Sequence, residues 1–400
     1  MTGICGIIAE YNPMHNGHIH HIKEARKLGA RRVVAVISGN FVQRGEPAVL
    51  DKFARTRIAL ESGIDAVFEL PTIYCAATSQ IFARAAVKIL GDSGIIDSFC
   101  FGCETGNLGD LLPIVNILSN EPPEFRASLR KHLDSGLSFA QSRSAALGEI
   151  NSEYSKIIRK PNNILAVEYL IAQQNLAPHL NPIAIPRKLL EHHSLEFMEN
   201  FATSSGIRAS IDNDITKLAQ FMSPPGFAAL LEAKQKVGIN RLDNFSHILH
   251  HIFATKPKND IAKIAEITEG MENRLIAKAA RHFLISDIIN AAATKRYPRT
   301  AISRGVLHIL LGITKAEMAR FASPEYIRVL GFRRESADLI GELSRKSALP
   351  IVTNLKNSHK LPAGATKILA REIYFSNLYQ LGLRSANFPQ KSEFPAPIIV

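Results

Sequence analysis

The stretch Ile4-Cys5-Gly6-Ile7-Ile8-Ala9-Glu10-Tyr11-Asn12-Pro13-Met14-His15-Asn16-Gly17-His18 decides the fold. Its first six residues are an unbroken apolar run, the pattern of a strand covered on both faces. Glu10 to Pro13 is a turn cluster, after which Ile19, Ile22, Ala25 and Leu28 recur at helical spacing. Strand, turn and amphipathic helix in that order open a βαβ unit, and the alternation continues along the chain. Strands are predicted at 32–38, 66–70 and 95–102, helices at 51–61, 79–90 and 162–174, and a last strand at 182–185. Strands separated by helices require right-handed crossovers and a parallel sheet, so the first half reads as a Rossmann-like α/β domain.

The pattern then changes. Beyond Ile211 no convincing strand series is visible, residues 262–293 and 304–311 are helical, and a polar, proline-containing break lies at 295–300. A soft boundary falls near Ser223-Pro224-Pro225-Gly226. The expected organisation is a parallel-sheet catalytic domain over 1–215 followed by an all-helical domain over 216–400. Four hundred residues leave room for both, since single cores rarely grow much past roughly 250 residues.

Composition narrows the function classes. Apolar residues at 46% and charged residues at 21% exclude wholesale disorder and fibrous architectures. No apolar run approaches ~18 residues, so no membrane helix is expected, and the N-terminal stretch has no signal-peptide pattern. Four cysteines cannot build a disulfide framework, and the chain reads as cytoplasmic. The net charge of +12 points to a polyanionic partner, with nucleic acid the default candidate. The absence of Trp, with only eight Tyr, argues against an aromatic platform for single strands.

The chemistry concentrates at His15-Asn16-Gly17-His18, directly after the first strand and at the start of the first helix. Ligands of open parallel sheets bind beyond the carboxyl ends of the strands. A helix start there offers unpaired N–H groups and a positive dipole end, which suit phosphate. Two imidazoles three residues apart can donate to phosphate oxygens and stabilise the charge of departing pyrophosphate. Gly17 leaves no side chain where a nucleotide must approach the backbone. A bare H-x-G-H also arises by chance from solvated histidines; the strand before it and the helix after it give it meaning. A second cationic element follows in Ala202-Thr203-Ser204-Ser205-Gly206-Ile207-Arg208. Hydroxyls and N–H groups at that helix start would hold the outer phosphates and Arg208 would neutralise them, although Thr-Ser-Ser before a helix is by itself often only a cap.

The first motif is the HxGH signature of nucleotidylyltransferases, which attack the α-phosphate of ATP and release pyrophosphate. The second has the spacing of that superfamily's I-S-S-T-x-x-R motif. Residues 6–18, 38–48 (SGNFVQRGEPA), Phe68-Glu69-Leu70-Pro71, Phe101-Gly102-Cys103-Glu104, Lys160-Pro161-Asn162-Asn163 and Lys295-Arg296-Tyr297 narrow the match further. Together they resemble the bacterial tRNA(Met) cytidine acetate ligase family over nearly the whole chain, most specifically over 3–104. The resemblance implies a two-step reaction. Acetate and ATP give acetyl-adenylate and pyrophosphate, and the acetyl group then passes to N4 of the wobble cytidine of elongator tRNA(Met), forming N4-acetylcytidine.

It also implies roles for single residues. His15, His18 and Arg208 would be catalytic. ATP would contact Ile7, Ile8, Ala9, Glu10, Tyr11, Asn12, Pro13, Met14, His15, Asn16, Gly17, His18, Ile19 and His20, with Gly102, Asn162, Arg187, Ser204 and Ser205. Met14 stands where the family usually has Phe, and Ser205-Gly206 is looser than the family's second motif. Lys295, Arg296, Tyr297, Arg299 and Arg304 form the densest basic cluster of the second half and would grip tRNA phosphates, Tyr297 being available for stacking. Magnesium is expected with ATP, but no carboxylate cluster marks a dedicated protein site.

Other signals read as structural. Cys100 and Cys103 form a C-x-x-C at the end of a strand with no second ligand pair. His192-His193 and His250-His251 read as polar residues, not metal ligands. Gln43-Arg44-Gly45 follows the second strand and could line the rim of the site. Two rival functions share the sheet: a small-molecule adenylyltransferase, which would not need a basic helical half, and a non-catalytic RNA-binding protein, against which both histidines argue.

Overall fold

A computed structural model describes residues 3–187, 202–383, 393 and 396–400. The first three long strands lie where the apolar runs placed them: β1 (Ile4–Ala9), β2 (Arg32–Ser38) and, after a short hairpin of β3 (Phe41–Val42) and β4 (Glu46–Pro47), β5 (Ala66–Leu70). β6 (Ser98–Cys103) starts three residues later than expected because Gly94 turns the chain in the left-handed region (φ +67°). β7 (Asn181–Pro186) closes that side. These strands pair in parallel in the order β5-β2-β1-β6-β7. The α/β reading with a parallel sheet is therefore what the chain forms.

Side chains along β2 alternate between two cores: Val34 and Val36 enter one, Val33, Ala35 and Ile37 the other. Helix α1 (Asn16–Lys27) buries Ile22 and Ala25 against the sheet. Helix α2 (Lys52–Glu61) begins where Asp51 accepts from the Phe53 and Ala54 N–H groups at 2.8 Å each, an N-cap contributing about 1 kcal/mol. Helices Ser79–Asp92 and Pro161–Leu176 pack on the other face, the second opened by a proline that has no N–H to lose.

The second half is mainly helical, with one correction. Sequence patterning left it without strands, yet β8 (Ile327–Phe332) pairs antiparallel with β5, and β9 (Ile351–Val352) and β10 (Ile398–Ile399) flank β8 in parallel. Ile327-Arg328-Val329-Leu330-Gly331-Phe332 is a single short run broken by a charge and a glycine, so it has no strand partner nearby in sequence. Its partner is the free edge of β5, some 260 residues earlier. Arg328 is tolerated there because Glu69 of β5 and Glu393 neutralise it at 3.4 and 2.7 Å. Lys52, fully buried, pairs with the same two carboxylates at 2.5 Å each and with Glu372 at 3.7 Å.

Two helical expectations are also refined. The run over 262–293 divides into Met271–Ala279 and Ile285–Ala292, and the helix expected at 304 begins at Arg299, capped by Pro298. At the soft boundary, Ser223-Pro224-Pro225-Gly226 starts a helix: Ser223 accepts from Gly226 N and the prolines occupy the first turn. Ile207, Leu218, Phe221, Met222 and Leu230 share one core with Val33 and Ile37, so apolar packing runs across that point. No helix among the described residues is long and apolar enough to cross a membrane.

Candidate active site

The turn between β1 and α1 brings the H-x-G-H residues to the carboxyl edge of the sheet. His15 is the N-cap of α1 and is almost wholly buried (4% exposed). Its Nδ1 accepts from Gly17 N at 3.1 Å, and the His18 Nδ1 accepts from His15 N at 3.2 Å. This reciprocal cap leaves the neutral ring protons on both Nε2 atoms, so each imidazole is a donor at its free end. The rings lie 3.9 Å apart, and Tyr11 meets His18 edge-on at 5.1 Å. Burial, reinforced by Arg187 and Arg208, pushes the His15 pKa down to about 3. Burial, the neighbouring His15 and Arg187 hold His18 well below the usual histidine range. Both are neutral donors at physiological pH.

Arg208 lies with them. Its Nη1 donates to the Asn12 carbonyl at 2.8 Å, its Nη2 contacts Ser205 Oγ at 3.4 Å, and Nη2 pairs with Glu46 at 2.9 Å. Arg44 reaches the same Ser205 Oγ at 3.3 Å. Thr203 caps the short helix Ser204–Ser210 by accepting from Gly206 N at 3.0 Å, which gives the loose Ser205-Gly206 segment an ordered turn. Hydroxyl, guanidinium and imidazole groups from positions 15, 18, 205 and 208 thus surround one corner.

The remaining candidates arrive from the neighbouring strands. Gly102, the penultimate residue of β6, lies against the stem of Arg187, whose Cγ would lie 3.1 Å from a Cβ added at Gly102. Arg187 Nη1 donates to Asn162 Oδ1 at 2.8 Å. Asn162 donates from both its backbone N and Nδ2 to Glu104 Oε1, and Asn163 N donates to Glu104 Oε2 at 2.8 Å. Glu104 is a positioning residue: it locks the start of helix Pro161–Leu176 and so orients Arg187. Its motif was visible in the sequence, its role was not.

Sequence reasoning missed three other residues. Arg55, fully buried, donates to the carbonyls of Glu10 (2.7 Å), Ser38 (3.0 Å) and Leu50 (3.0 Å), and to that of Gly39. It therefore pins the carboxyl ends of β1 and β2 together. Glu46 is the acid facing Arg208. His21, one turn beyond His18, has a buried Nε2 without a partner, and burial with Arg187 pushes its pKa to about 4. Arg55 carried no motif, Glu46 lay inside the 38–48 match with no role attached to it, and His21 falls one residue beyond the run expected to contact ATP.

The basic cluster of the second half stands beside this corner through the β3–β4 hairpin. Ser303 Oγ donates to the Gly45 carbonyl at 2.9 Å, and a Cβ at Gly45 would lie 2.4 Å from Arg304 N. Lys295 and Arg296 are exposed just before that helix and Arg299 is exposed at its first residue. Tyr297 donates its hydroxyl to the Glu269 carbonyl at 2.6 Å, with the Arg296 guanidinium 5.5 Å from its ring centre. Arg304 pairs with Glu266 at 2.7 Å, so its charge is partly spent within the fold.

The side candidates resolve physically. Cys100 and Cys103 enter opposite cores, as residues three apart on a strand must, so their thiols cannot meet. His250 stacks on Phe283 and lies 3.0 Å from its carbonyl. His192 and His193 lie outside the described residues. No group of three or more His, Cys, Asp or Glu among the described residues is arranged to hold a metal.

A family model described as HIGH Nucleotidyl Transferase matches residues 2–393. The tRNA(Met) cytidine acetate ligase of Thermoanaerobacter pseudethanolicus is 37% identical over 391 residues, 96% of each chain. That of Caldanaerobacter subterraneus is 36% identical over 400 residues, 98% of each. Among solved structures, apo Thermotoga maritima TmcAL is similar with a TM-score of 0.93 at 29% identity, over the whole of both chains. The same protein bound with alpha-thio ATP gives 0.90 at 28%, over all of this chain and 99% of that one.

Proposed function

The chain belongs to the HIGH nucleotidyl transferase family, and we propose that it is an ATP-dependent tRNA(Met) cytidine acetate ligase. The observation that carries the reading is the pair of neutral, donor-oriented imidazoles at the start of α1 beside Arg208. Near-complete identity of length with curated ligases supports it.

In this reading ATP lies along residues 7–20 and against Gly102, Asn162 and Arg187, with magnesium travelling as its counter-ion. Acetate attacks the α-phosphorus. His15 and His18 donate from Nε2 to the α-phosphate oxygens as charge builds, and Arg208, Ser204 and Ser205 take up the departing pyrophosphate. Arg208 must exchange its Glu46 and Asn12 partners for phosphate, a substitution of one anion-facing set of bonds for another. Adenylation is needed because acetate is an inert acyl donor and the conjugated cytosine amine a weak nucleophile. The mixed anhydride gives the acyl carbon the leaving group that acetate lacks and so makes it reactive toward a weak nucleophile.

The division of labour follows the chain. Residues 1–215 perform the nucleotide chemistry, and 216–400 hold the elongator tRNA through Lys295, Arg296 and Arg299, with Tyr297 and Arg304 shaping that surface. The wobble base then reaches the nucleotide past the β3–β4 hairpin. The cytoplasm, where ATP and tRNA meet, is the expected compartment. The test is incubation with ATP, labelled acetate and tRNA, followed by digestion of the RNA. Labelled N4-acetylcytidine supports the reading. ATP–pyrophosphate exchange with unlabelled RNA indicates a small-molecule adenylyltransferase instead, and RNA binding with neither signal indicates an inert binding protein.

A further inference from the structure

Acyl transfer to a cytidine amine releases a proton, and the histidines cannot take it. Each uses its Nδ1 lone pair to cap α1 and carries its proton on Nε2, so neither has a basic nitrogen to offer without breaking the helix start. The carboxylates around the corner differ in how they are committed. Glu104 has both oxygens bonded by Asn162 and Asn163. Glu46 faces Arg208. Glu10, at the carboxyl end of β1, accepts from Gln43 N at 2.7 Å through Oε1 alone, and its second oxygen accepts no hydrogen bond from a described residue.

We propose that Glu10 is the general base of the acyl-transfer step. This rests on the ligase reading above and deepens it by separating the two half-reactions. The cytidine N4 attacks the acetyl carbonyl carbon and forms the C–N bond. The bond from that carbon to the AMP phosphate oxygen breaks with its electron pair, and one N4 proton passes to the Glu10 carboxylate. Glu10 lies in the run proposed to contact ATP, and it would do so through its backbone, since a carboxylate beside a triphosphate is repelled; its side chain is left for the transfer step. Glu10 is held by the hairpin whose Gly45 packs on the helix that follows the basic cluster, the side from which the ligase reading brings the RNA base. Half-buried, its carboxyl is pushed above the usual range chiefly by loss of solvent, against the pull of the Gln43 N–H, Arg44 and Arg208. A carboxylate so raised is a stronger base than one in water.

The experiment compares wild-type full-length protein with Glu10→Gln and Glu10→Asp in two assays: acetate-dependent ATP–pyrophosphate exchange and acetyl transfer to a tRNA(Met) transcript. Gln preserves the acceptor for Gln43 N, so a purely structural role is spared. Transfer by Glu10→Gln is expected to fall on the order of 100-fold, the usual size of general base catalysis, with exchange affected at least tenfold less. Glu10→Asp, which retains a base on a shorter stem, should recover part of the transfer. Equal loss of both activities in Glu10→Gln, or transfer close to wild-type, overturns the assignment. A wild-type protein that exchanges pyrophosphate but never labels the RNA overturns the ligase reading itself, and the assignment with it.

Discussion

Replacing His15 separates two functions that one side chain performs. As N-cap, His15 accepts from Gly17 N through Nδ1 and donates its own backbone N–H to the His18 Nδ1. Loss of such a cap costs about 1 kcal/mol of stability. In a chain of this size that is a fall of about 1–2 °C in Tm. In the role proposed for it as donor, Nε2 would stabilise the α-phosphate transition state, and loss of one preorganised donor costs on the order of 100- to 1000-fold in rate. His15→Ala removes both. His15→Asn restores the cap, since Asn is among the best N-cap residues, but its amide does not reach as far as an imidazole Nε2. Thermal denaturation should therefore place Asn close to wild-type and Ala below it. ATP–pyrophosphate exchange should be reduced at least 100-fold in both. Exchange that recovers in His15→Asn would show that the imidazole matters only as a cap, and the argument for donor catalysis would be refuted.

Three more expectations concern pH, RNA and packing. Burial holds His15 at about pKa 3 and His21 at about 4, below the ~6.5 of an unfolded chain. The unfolded state then binds more protons, so this stability is complete above pH ~6.5 and is lost as pH falls, by up to about 2 kcal/mol for each histidine at pH 5. Urea unfolding at pH 7, 6 and 5 should follow that fall, and a flat or rising profile contradicts it. Arg296→Glu should weaken tRNA binding and reduce its salt dependence while pyrophosphate exchange persists, measured by filter binding across a salt series. Gly45→Ala forces a Cβ into Arg304 N at 2.4 Å and onto a residue with φ +79°. It should cost at least about 2 kcal/mol in urea unfolding, and a neutral result would mean that the hairpin does not bear on the helix.

The parallel strands and the turn that sets His15 and His18 at the start of α1 were both legible in the residue order, because both are local. A short apolar run bounded by a turn cluster reads as a doubly covered strand, and a histidine cap at the helix that follows it needs no distant partner. Tertiary structure alone decided the partnerships between segments far apart in the chain. β8 is a strand because the edge of β5 is bare and Glu69 and Glu393 neutralise Arg328; nothing within six residues of Arg328 announces this. Nothing in the sequence around Arg55 shows that four carbonyls, three of them at or just beyond the carboxyl ends of β1 and β2, converge on it. Glu10 read as one residue in a nucleotide-binding run, and only the hairpin folded over it separates its carboxylate from its neighbours. Hydrogen bonds and ion pairs are satisfied wherever the chain brings a partner, and the order of residues along it does not record that distance.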